Sequence, residues 1–104
     1  MLIRKIHELG ISNSDCYKKA HVDRRHFSKI LSNPHYSPTK PTVLAFALAL
    51  ELTLDECNEM LAKAGYCFSK SLKFDLIIEY FIKNEEYDIL LINQALHYYD
   101  QPLL

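Results

Sequence analysis

Eight consecutive residues, Val43-Leu44-Ala45-Phe46-Ala47-Leu48-Ala49-Leu50, carry no polar side chain. A helix that is apolar on every side has no face to show to water, so it belongs at the centre of a bundle. Its alanines let neighbouring helices approach closely. The run is far short of the ~18 residues a membrane span needs, and no other apolar stretch reaches that length. With 104 residues, the chain is the size of one domain with one core, which excludes a multidomain enzyme. Two glycines and four prolines are too few for the turn-rich sandwiches and barrels or for a Gly-rich phosphate loop, and they favour an all-α fold.

The rest of the chain divides into helices and stops. Leu2, Ile3, Ile6 and Leu9 recur at helical spacing before Gly10, a residue suited to ending a helix. Ser12 or Ser14 can cap a second helix running to about Ala20. Asp23 caps a third through Arg24 to about Leu31, with Phe27, Ile30 and Leu31 on one face. Residues 33–38 hold two prolines and an asparagine and predict a loop. Thr39 is placed to cap the apolar helix, with Pro41 tolerated in its first turn.

Thr53-Leu54-Asp55-Glu56 reads as a capping box opening a fifth helix, which Gly65 ends. Ser69 or Ser71 is expected to open a sixth helix with the stripe Phe74, Ile77, Ile78, Phe81 and Ile82. Asp88 caps a seventh, lined by Ile89, Ile92, Leu96 and Tyr99 and stopped by Pro102. The expectation is about seven helices in a single domain spanning 1–104, without strand, repeat or linker.

The net charge of −1 conceals an asymmetry. Residues 1–40 carry eight Lys and Arg against Glu8, Asp15 and Asp23, and hold four of the five histidines. Residues 41–104 carry four lysines against ten carboxylates. A basic part beside an acidic part suggests an anionic partner for the first, although uneven charge on solvated helices gives the same count.

A short helix, a tight turn, a short helix, a loop and an apolar helix is the order of a helix-turn-helix domain. Residues 11–57 resemble the lambda-repressor/Cro-like (XRE-type) family in Val22-Asp23-Arg24-Arg25-His26-Phe27-Ser28-Lys29-Ile30, in Ser37-Pro38-Thr39, and in Val43-Leu44-x-Phe46-Ala47-x-Ala49-Leu50. Leu52-Thr53-Leu54-Asp55-Glu56 matches that family's fifth helix, and the likeness extends over about 1–65 when the outer helices are included. Three positions depart from it. Tyr17 stands where the second helix has a small residue, Ala20-His21 replaces the Gly of the turn, and Leu31-Ser32-Asn33 replaces Glu-x-Gly, with Asn33 as a left-handed stand-in. Residues 66–104 form a helical extension packed on that core. Its Lys73-to-Ile82 stretch, Tyr87-Asp88-Ile89 and Gln101-Pro102-Leu103-Leu104 resemble a module at the C-termini of larger bacterial proteins, including macrodomain-containing ones.

The family resemblance implies a DNA-binding module of a bacterial or phage-type regulator, with the third helix, about 24–31, in the major groove of double-stranded DNA. Arg24, Arg25, Ser28 and Lys29 then face base edges. Lys18, Lys19, Tyr36, Ser37, Thr39 and Lys40 lie near phosphates, with the free N–H groups opening the fourth helix. For Arg24 and Arg25 the plainer reading is a solvated first turn, and Asp23 reads as a cap. The competing function is a protein-interaction module, without DNA binding, appended to or partnering a larger protein. A homodimer or a partner protein through the C-terminal helices fits either reading.

Other chemistry finds little support. The five histidines and three cysteines show no Cys-x-x-Cys or His-x-x-x-His spacing, so no metal or other cofactor is expected. Cys16 and His21 suggest a nucleophile and base, but a small helical bundle without a cleft favours a buried thiol, and no enzyme is expected. Tyr80, Tyr87, Tyr98 and Tyr99 are expected to cover the core edge. An odd cysteine count and an N-terminus without a signal-peptide pattern point to a reduced, cytoplasmic setting.

Overall fold

The structure, a computed structural model, describes residues 2–33 and 36–104. Pro34 and His35, part of the expected loop, lie outside the described residues. Seven α-helices and no strand occur among the described residues: α1 (Leu2–Leu9), α2 (Asn13–Lys19), α3 (Arg24–Ser32), α4 (Lys40–Ala49), α5 (Leu54–Lys63), α6 (Lys73–Lys83) and α7 (Ile89–Tyr98). The fold is all-α.

Residues 43–50 are buried without exception. α2, α5 and α7 all pack on α4, so the uniformly apolar helix occupies the middle, as its composition requires. Ile6, Cys16, Phe27, Cys57, Leu61, Ile78, Ile92 and Leu96 complete the same core. The Phe27 ring lies 5.3 Å from Tyr17 and 5.8 Å from Phe46, seating α3 against both α2 and α4. The small residues that permit close packing are Cys16 in α2 and Ala20 at its C-cap, both buried. Tyr17 stands aside and covers Phe27.

Helix starts follow the sequence closely at four places. The Ser12 hydroxyl accepts from the Asp15 N–H at 3.0 Å and the Asp23 carboxylate from His26 at 2.7 Å. Thr53 and Glu56 form the reciprocal capping box, and Asp88 accepts from Leu90 at 3.0 Å. Two starts differ. Thr39 sits at the N-cap of α4, but its hydroxyl shares a hydrogen bond with that of Thr42 rather than with the backbone. Neither Ser69 nor Ser71 opens α6, which begins at Lys73 after Leu72 with no side-chain cap. The two serines bond to one another instead, and the Ser69 N–H donates 2.6 Å to Asp75 Oδ2.

Helix ends share one device. After α2, α4, α5, α6 and α7 the chain closes with paired backbone bonds, such as Val22 N–H to Tyr17 C=O at 2.9 Å and His21 N–H to Lys18 C=O at 3.1 Å. This closure needs a residue in the left-handed region. Gly65 supplies it after α5, while His21, Glu51, Glu85 and Asp100 adopt positive φ between 53° and 57° at the others. The turn glycine absent between α2 and α3 is therefore replaced by a strained His21. Asn33 is not left-handed: at φ −113° and ψ 103° it is extended. Proline follows it in sequence, and the residue before a proline is pushed towards extended conformations.

Two charged contacts join distant parts. Lys5 Nζ donates 2.7 Å to Glu56 Oε2, while Glu56 Oε1 accepts from the Thr53 N–H at 3.0 Å. One carboxylate thus caps α5 and ties it to α1. Lys40 Nζ meets Asp75 Oδ2 at 2.5 Å, pinning α6 to the start of α4. Asp75 is only 1% exposed, and its Oδ1 has no partner among the described residues.

These observations generate three expectations. Glutamate gains nothing from positive φ, so Glu51→Gly should stabilise the fold by about 0.5–1 kcal/mol relative to Glu51→Gln in urea unfolding. Glu51→Gln is the control for the lost charge. Lys40→Met strands a buried carboxylate and should cost roughly 3 kcal/mol in the same assay. The third concerns pH. The Lys5 ammonium, then the Thr53 N–H, hold the Glu56 carboxyl below its ordinary 4.5. The Glu56 hydrogen bond raises Lys5 above its ordinary 10.5. The pair therefore contributes fully between those two values. Its contribution drains away as pH falls through the depressed Glu56 value or rises through the elevated Lys5 value. The Tm gap between wild type and Glu56→Gln, which keeps a capping side chain, should narrow in acid; a gap unchanged down to full carboxyl protonation contradicts this.

Candidate nucleic-acid interface

α3 presents two chemically distinct sides. Phe27 is buried and Ile30 half-buried on the inner side, while Arg24, Arg25, Ser28 and Lys29 are exposed. At 3.6 residues per turn only Arg25 and Lys29 fall opposite Phe27; Ser28 lies to one side, and Arg24 lies nearest the buried face. All four side chains expected to face bases are exposed, spread around one flank of the helix. Lys18 and Lys19 close α2 and are exposed, separated from α3 by residues 20–23.

The second half of the predicted set is mixed. Ser37 and Thr39 are exposed in the loop before α4. Tyr36 is half-buried and held against α3: its hydroxyl and His26 Nε2 share a 2.8 Å hydrogen bond, with the rings edge to face. Lys29 Nζ lies 4.9 Å from the Tyr36 ring centroid, a cation–π contact that steadies the lysine without neutralising it. His26 thus joins the surface as a positioning residue. Its spacing, one helical turn before Lys29, was the only sign of this in the sequence.

Lys40 does not join it. Its ammonium is committed to the buried Asp75, which removes its charge from any phosphate. Burial of a carboxylate on α6 required a cation, and Lys40 was the one within reach. The clue lay in position 75, which falls on the same side as Ile78 and Ile82 and so faces the core.

Pairing elsewhere sharpens the surface. Of the eight Lys and Arg in residues 1–40, Arg4 pairs with Glu8, Lys5 with Glu8 and Glu56, and Lys40 with Asp75. The other five, Lys18, Lys19, Arg24, Arg25 and Lys29, make no ion pair among the described residues, and all belong to α2 and α3. The basic excess of the first forty residues is thereby concentrated on two consecutive helices.

Two of the three thiols are buried. Burial pushes the Cys16 thiol to about 11 and the Cys57 thiol to about 12, so neither is a thiolate at neutral pH. Cys67 is exposed. No group of three or more His, Cys, Asp and Glu able to hold a metal occurs among the described residues, and no described helix is long and apolar enough to cross a membrane. Comparison with protein-family models, with curated proteins and with solved structures finds no match to this chain.

Proposed function

We propose that this chain is a helix-turn-helix DNA-binding module of a bacterial or phage-type regulator, with α3 in the major groove of a duplex. The observation that carries this reading is the placement of all five unpaired cations of residues 1–40 on α2 and α3. Electrostatic attraction to phosphates supplies most nonspecific DNA affinity, so the location of free cations is the property that matters. Arg24 and Arg25 can fork onto guanine O6 and N7, Ser28 and Lys29 can reach neighbouring base edges, and Lys18 and Lys19 can meet the backbone. The His26–Tyr36 pair keeps Lys29 directed along the surface, at lower entropic cost on binding.

Ser37 and Thr39 stand beside the opening turn of α4. Its N–H groups, with none from Pro41, can donate to a phosphate. The buried Asp75 at the same corner makes that contact weaker than Lys40 alone would suggest. The exposed apolar side chains of α6 and α7 favour a second reading, a protein-interaction module, in which the cations are solvent-facing only.

Fluorescence anisotropy with a random-sequence duplex separates the two. DNA binding predicts affinity falling with log salt at a slope between about −3 and −5, shallower by about 1 in Arg25→Ala or Lys29→Ala. Absence of binding at low salt removes the DNA reading.

A further inference from the structure

Between α1, α3, α4 and α5 lies a cavity of about 360 Å³, closed on one side by the loop that precedes α4. Its walls are apolar: Leu2 from α1, Ile30 from the inner side of α3, Val43 and Phe46 from α4, and Met60 from α5. Among the described residues that line it, only Ser37 and Lys63 are exposed. Polar donors therefore stand at the mouth, with apolar side chains further in. Lys63, in the last turn of α5, makes no ion pair among the described residues. The loop side of the mouth is braced twice. The Tyr66 hydroxyl donates 2.9 Å to the Pro38 carbonyl, and the Tyr36 hydroxyl shares its 2.8 Å hydrogen bond with His26. A cavity held in this way is formed before a ligand enters, so binding carries little ordering cost.

These features select the occupant. Small-molecule sites span about 300–1,000 Å³ and combine apolar walls with a few placed polar groups. A docked helix needs a long open groove instead. The walls suit a hydrocarbon chain, whose burial is favourable in proportion to its area. At the mouth, the Lys63 ammonium and the Ser37 hydroxyl offer donors to an anionic head group, and hydrogen bonds between charged partners are the stronger kind. One unpaired cation matches one negative charge, which points to a carboxylate rather than a phosphate dianion.

We propose that this cavity is a binding site for a medium-chain aliphatic carboxylate, with the chain inward and the carboxylate at Lys63. The proposal does not rest on DNA binding and is tested without DNA. Calorimetric titration of the full chain with octanoate should show one saturable site with a dissociation constant below about 1 mM. Octanol, which lacks the charge, and octylamine, which reverses it, should bind at least about tenfold more weakly. Amide resonances of Leu2, Ile30 and Met60 should shift during the titration. Lys63→Gln, at an exposed position, should weaken octanoate binding about tenfold and leave octanol binding unchanged. Ala64→Leu sets a larger side chain on the cavity wall and should abolish binding of both. Far-ultraviolet circular dichroism checks that the variants keep their helices, and the Lys63→Gln arm stands even if Ala64→Leu fails to fold. Absence of saturable octanoate binding below about 1 mM overturns the proposal. So does octylamine binding as tightly as octanoate, an affinity indifferent to Lys63→Gln, or resonance shifts confined to other parts of the chain.

Discussion

The burial of α4 is the constraint on which the rest of the fold depends. A ten-residue helix with no polar side from Val43 onward can persist in water only if other helices cover it all round. The chain meets that demand with α2, α5 and α7, and with Phe27 reaching in from α3. Much of the remaining sequence is legible as a consequence. α2 needs small residues where it touches the centre, which Cys16 and Ala20 provide. α6 reaches the start of α4 through the Lys40–Asp75 ion pair, because Lys40 is the first residue of that helix.

Most helices were readable from caps and apolar spacing because both are local properties. Asp23, Thr53 and Asp88 act within three residues of their own positions, and nothing distant competes with them. Ser69 and Ser71 mislead for the opposite reason. A buried carboxylate six residues ahead of Ser69 claims its N–H, a demand set by tertiary packing. Asn33 fails as a left-handed residue because the proline after it outweighs its own tolerance. Tyr80 and Tyr98, expected over the core edge, project from it; Tyr87 does the expected work, its hydroxyl donating 3.0 Å to the Leu52 carbonyl. An aromatic at helical spacing does not reveal which of two apolar sides its helix turns inward.

The candidate site was legible in its α3 half and less so in its loop half. The exposure of Arg25 and Lys29 follows from one buried residue, Phe27, and helical geometry; Arg24 and Ser28 are exposed beside them. Lys40 and Tyr36 depend on partners elsewhere in the chain, Asp75 and His26, whose identity only the fold supplies. The division of charge at residue 40 is likewise not a division in space. Lys5 and Lys40 hold Glu56 and Asp75, so part of the basic excess joins the two halves and only the remainder is free to act outward.

The closures that end five of the helices also shape how the chain is connected. By turning within two residues they leave connections such as 20–23, 50–53 and 84–88, and elements adjacent in sequence become adjacent in space. Chains dominated by such near contacts collapse with little loop-closure entropy and fold rapidly. Links between distant segments include the packing of α2 and α7 on α4 and the ion pairs of Lys5 with Glu56 and Lys40 with Asp75. Where such links form after the helices they join, they act chiefly on how slowly the assembled bundle comes apart. The strained left-handed residues serve assembly, and the two lysines serve persistence.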